Sequence, residues 1–160
     1  MKIDWKAISG NNASSTKKSS VDKDEIEYDK FATFYYTNLI NSLILFSLTT
    51  EELEKLARPV FNPMTELESE IDYAFTPVCF ETIFRNGLID NSLKGELLTF
   101  KKETDSIPSE VWEWEFIDNS EIWVTIRQKA NNLLDKLGVT KRTYNDDYII
   151  VYGNRKDIDM

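Results

Sequence analysis

The chain has 160 residues with 28 acids, 19 bases, no histidine and one cysteine, for a formal charge of -9. Catalysis near neutral pH leans on histidine, thiolate or clustered metal ligands, so this composition disfavours nucleophilic and zinc chemistry, and the negative field disfavours nucleic-acid partners. With 41% hydrophobic and 12% aromatic residues there is ample material for one packed core.

The first 30 residues carry six lysines and six acids and are neutral, so the whole negative charge belongs to residues 31–160. Ser9 to Ser20 is polar and without helical or strand period, which marks residues 1–22 as an N-terminal arm and flexible linker ahead of a single helical domain over 23–160. Within the arm, Ile3, Trp5 and Ile8 form a short apolar segment that either frays or docks.

From Tyr28 to Leu48 the residues Phe31, Phe34, Tyr35, Leu39, Leu43 and Phe46 recur at three- and four-residue spacing, predicting a central helix. Its 18 uncharged residues from Phe31 to Leu48 are interrupted by six Thr, Asn and Ser, which reads as core and not as a membrane span. Thr49 with Glu52 has the form of a capping box for a short helix through Ala57. Arg58 to Pro63 then breaks the chain.

Thr65 with Glu68 repeats the capping pattern before a helix with Leu67, Ile71, Tyr73, Ala74 and Phe75. Thr76-Pro77 predicts a new start and Gly87 a stop, with Val78, Phe80, Ile83, Phe84 and Leu88 on the apolar side. Asp90 or Asn91 caps a helix with Leu93, Leu97, Leu98 and Phe100, ending in basic Lys101-Lys102. Asp118 with Glu121 offers a third capping arrangement, before a helix with Trp123, Ile126, Ala130, Leu133, Leu134 and Leu137 that stops at Gly138.

Past Gly138, Tyr148 to Tyr152 is β-branched and aromatic and admits one short strand or hairpin. The fold class that follows is mainly α, a compact bundle of about six or seven helices.

Three of the four tryptophans and five acids, with no base, fall in Glu110 to Trp123. If that stretch is helical, Trp112 and Phe116 join Trp123 on the buried side and Trp114 points away between Glu113 and Glu115. An aromatic ringed by carboxylates fits a basic protein surface, with Glu113, Trp114, Glu115, Asp118 and Glu121 as partner-binding residues. A bend would instead return Trp114 to the core, and strand-like alternation would put the acids on one face.

Other chemistry is thinner. Carboxylate pairs such as Glu113 with Glu121, or Asp146 with Asp147, would serve a hydrolase, yet 28 acids supply such pairs without specificity. Cys79 lies in a predicted first turn, where a helix dipole favours thiolate, but between Val78 and Phe80 it reads as a small buried hydrophobe. Asp22 to Glu25 and Asn145 to Asp147 read as turns or caps. The sequence therefore assigns no catalytic residue, no metal and no cofactor, and a lone cysteine without a leader segment places the chain in a reducing cytoplasm.

A small, acidic, aromatic-rich single domain without catalytic groups resembles the immunity proteins of bacterial toxin systems, with Trp112 to Gly138 the stretch that carries the likeness. The resemblance implies stoichiometric inhibition of a basic toxin domain. Two alternatives stand beside it: a carboxylate-based hydrolase, and a helical scaffold or regulatory subunit read through Met1 to Ile8.

Overall fold

Helix α1, Ala32–Ser47, runs without a single charged residue and buries eleven of its sixteen side chains. That burial follows from its position: α3 (Pro63–Ala74), α4 (Pro77–Arg85) and α6 (Glu121–Lys136) all pack against it, so only its first turns meet solvent. A computed structural model describes residues 27–57 and 62–145 of the chain. Burying each of Leu39, Leu43, Ile44 and Leu45 on α1 contributes about 1.5–3 kcal/mol. The serines that interrupt the apolar run are satisfied within the helix, Ser42 and Ser47 each donating to the carbonyl three residues back at 2.7 Å.

The predicted capping box at Thr49 is present. Its hydroxyl accepts from the Glu52 amide at 3.4 Å, and the Glu52 carboxylate accepts from the Thr49 amide at 2.9 Å, starting α2 at Thr50–Leu56. The next one is not. Asn62 caps α3 by accepting from the amides of Met64 and Thr65, and Pro63 occupies the first turn, so Thr65 lies inside the helix. Proline needs no amide partner at that position and fixes the helical φ, and this outweighs the Thr65–Glu68 pattern two residues on.

Helix α4 begins at Pro77 as expected, although Thr76 donates its hydroxyl to the Tyr73 carbonyl and leaves the helix amides uncapped by its side chain. It ends at Gly87, whose φ of 70° lets the amides of Gly87 and Leu88 turn back to the carbonyls of Phe84 and Ile83. Asp90 caps a 3-10 turn at Asn91–Leu93 that runs into α5, Lys94–Asp105, where Leu97 and Phe100 are buried and Leu98 is exposed. Helix α6 buries Trp123, Ile126, Ala130, Leu133 and Leu134, and stops at Gly138 by the same two-bond turn as α4.

The result is a mainly α, compact bundle wrapped on α1, with α5 packed on α6. No strand occurs among the described residues, and none of their helices is long and apolar enough to cross a membrane. The 1–22 arm and the Tyr148–Tyr152 strand candidate lie outside the described residues, as do Asp22 to Glu25 and the Asp146–Asp147 pair.

Candidate functional site: an acidic aromatic turn

Between α5 and α6 the chain crosses the end of the bundle in two 3-10 turns, Ser109–Val111 and Trp114–Phe116. Of the alternatives the sequence admits here, the continuous helix through Trp112 and Phe116 does not form. Pro108 lacks an amide to donate, and α6 begins only at Glu121, capped by Ser120, whose hydroxyl accepts from the Ile122 amide at 3.2 Å. This displaces the Asp118–Glu121 capping arrangement. Asp118 instead accepts from the amide and hydroxyl of Thr50 at 3.0 and 2.6 Å, capping α2 from across the fold.

An aromatic cluster holds this crossing segment. Trp123 donates its indole N–H to the Val111 carbonyl at 2.7 Å and meets Trp112 edge-on at 4.9 Å between ring centres. Phe46 of α1 stacks on Trp123 at 6.0 Å and meets Phe100 edge-on at 5.9 Å. Arg127 donates to the Ile117 carbonyl at 3.0 Å, with Ile117 itself in the core. Contacts of this kind add about 0.5–1.5 kcal/mol each beyond area burial, so the turn is rigidly seated.

Trp114 stands outside that cluster with 38% of its surface exposed, and Glu113 and Glu115 beside it are exposed. Backbone bonds from Phe116 to Glu113, from Ile117 to Trp114 and from Ser120 to Phe116 hold the loop compact, so these three side chains project from a fixed backbone. Glu121 opens α6 in its first turn, a favourable place for an anion, and is also exposed, as is Ile122 next to it. Asp118 differs from the other four: its hydrogen bonds from the Thr50 hydroxyl and amide, with help from the Arg127 charge, hold its carboxyl below the ordinary range. It serves the fold first.

The structure adds a feature that the linear reading missed. Trp112 forms one wall of a groove of about 180 Å³ between α3 and the end of α5, together with Phe46, Glu68, Asp72, Asp105 and Ser109. Lys101 bridges Asp72 and Asp105 at 3.1 and 2.6 Å, so two of the three carboxylates that line the groove share one ammonium and the groove keeps a negative balance. Burial works against the Lys101 charge, but the two aspartates outweigh it and raise its pKa. Glu68 was legible only as a capping residue, and nothing in the linear order joins residue 68 to 105 and 112.

The remaining candidates separate clearly. Cys79 is buried, and desolvation raises its thiol pKa, which opposes nucleophile chemistry. Glu113 and Glu121 are both exposed and do not form a desolvated acid pair. Among the described residues no group of three or more metal-ligating side chains comes together. Glu70 on α3 is the described acid whose environment most opposes its charge, a result of burial that the sequence signalled only by another acid, Glu66, one helical turn earlier.

The class defined by this fold is an all-α bundle with an acidic aromatic rim. No family model, curated protein or solved structure matches the chain.

Proposed function

We propose that this protein is a binding module that takes a basic protein partner on the acidic aromatic turn, acting as an inhibitor of the immunity type in the cytoplasm. The observation that carries the reading is Trp114: a large ring left exposed on a backbone fixed by buried aromatics, flanked by the exposed Glu113 and Glu115. A pre-ordered ring loses little freedom on binding and supplies desolvated area, while flanking carboxylates steer a cationic surface into register. Glu121 extends the negative rim. The acidic groove beside Trp112 lies two residues from Trp114 in the chain and presents the same charge and aromatic character.

Asp118 takes a positioning part in this scheme, because its bonds to Thr50 tie the turn to α2. The test compares affinity capture from native lysate by the full chain and by two variants, Trp114→Ser and Glu113→Gln with Glu115→Gln. The expected result is a single basic protein retained by the parent, released by moderate salt and lost from both variants. Equal retention by all three removes this turn as the binding surface.

A further inference from the structure

After Gly138 the chain doubles back over the bundle and is fastened by polar side chains. Arg142 donates to the Asn131 carbonyl oxygen and side chain and to Asp135 of α6, closing the start of the segment. At its other end Asn41, 2% exposed in the middle of α1, donates to the Asn145 carbonyl at 2.7 Å and accepts from the Asn145 amide at 2.9 Å. Between these, the Tyr144 hydroxyl donates to Oε2 of Glu70 on α3. The second Glu70 oxygen, Oε1, is buried and has no hydrogen-bond partner.

An unpartnered, buried carboxylate oxygen is costly, and the cost depends on the proton. Ionised, Glu70 offers only acceptors and leaves Oε1 bare beside Glu66, which lies four residues back and acts on it with like charge. Protonated on Oε1, it donates toward the Glu66 carboxylate while Oε2 goes on accepting from Tyr144, so every polar atom finds a role.

We propose that Glu70 is a proton-dependent clasp for the segment 139–145, closed on α1 and α3 when the carboxyl carries its proton and loosened when it ionises. Among the described residues, no cation is one of the groups that act on the carboxyl. Of the helices packed on α3, α1 carries no charged residue over Ala32–Ser47. Glu51, Glu52, Glu54 and Lys55 of α2 do not act on the carboxyl, and Glu81 and Arg85 of α4 pair with Lys94 and Asp29. The groups that do act on it are Glu66 and the Tyr144 hydroxyl.

Burial, reinforced by Glu66 and opposed by Tyr144, pushes the Glu70 carboxyl from its ordinary 4.5 up to about 7. The folded form therefore holds the proton more tightly than the unfolded form. The contribution is fully present below 4.5 and is lost as pH rises through about 7, which puts the loosening in the physiological range.

Hydrogen exchange of the full chain, corrected for intrinsic rates, tests the clasp at the Asn145 amide between pH 5.5 and 8.5. Protection of that amide is expected to fall roughly tenfold or more over the range while α6 core amides such as Ala130 hold constant. Glu70→Gln keeps a donor and an acceptor in place without the titration, and should abolish the pH dependence. A constant Asn145 protection in the parent, or the same fall in Glu70→Gln, overturns the proposal. Carbon-detected titration of the Glu70 carboxyl gives a check that needs no variant: an inflection near 7 supports the clasp, and one in the ordinary glutamate range sinks it.

Discussion

Two irregular segments cross this bundle, and they are fastened with a different balance of rings and polar groups. The turn over 107–120 is held by rings, with Phe46 touching Phe100, Trp112 and Trp123, Trp112 meeting Trp123, and the Trp123 indole bonded to Val111. The segment 139–145 packs Val139 and Tyr144 on the core and adds polar grips, with Asn41, Glu70, Asn131 and Asp135 holding Arg142, Tyr144 and Asn145. Ring packing is indifferent to pH and loses little to salt. A carboxyl that must carry a proton is sensitive to its surroundings, so the first segment suits a rigid presenting surface and the second a movable one.

The comparison breaks most readily at Trp123. Replacing it with alanine removes the ring that joins α1, α6 and the turn, and should cost about 3–5 kcal/mol in urea unfolding. A loss under 1 kcal/mol would show that the cluster does not carry the turn. Asn41→Ala acts on the other segment: about 1–2 kcal/mol, confined to faster exchange of residues 139–145 with the turn unchanged. Global destabilisation with uniform exchange would erase the distinction between the two regions.

Asp118→Ala removes the second cap on α2, leaving the Thr49–Glu52 box in place, with an expected loss of about 1 kcal/mol. Because its carboxyl is held below the ordinary range by Thr50, the parent should lose that contribution as pH falls through the lowered value, and the alanine variant should not. Parallel acid-unfolding curves for the two proteins would contradict the assignment. Trp114→Ser has the smallest expected effect on stability, within about 0.5 kcal/mol, since its ring stands outside the cluster. Its consequence belongs to partner capture. A loss comparable to Trp123→Ala would place Trp114 in the core after all.

Most of the helices are written in local residue patterns. Apolar spacing located α1 and α6, the Thr49–Glu52 pair started α2, Pro77 opened α4, and Gly87 and Gly138 ended their helices with positive φ. These are local effects, decided by neighbours within one helical turn. Where two local signals compete, the backbone decides: Asn62 and Ser120 take the caps that Thr65 and Asp118 also fit, because Pro63 and the 3-10 turns fix the chain there.

Tertiary structure alone decided the rest, since it brings together residues that no local pattern links. Asp118 meets Thr50 across 68 positions, Asn41 meets Asn145 across 104, and Glu70 meets Tyr144 across 74. Whether a carboxylate caps a helix, lines a groove or keeps a proton depends on its burial and its partners. Burial is a property of the packed bundle, whereas helix periodicity is written along the chain.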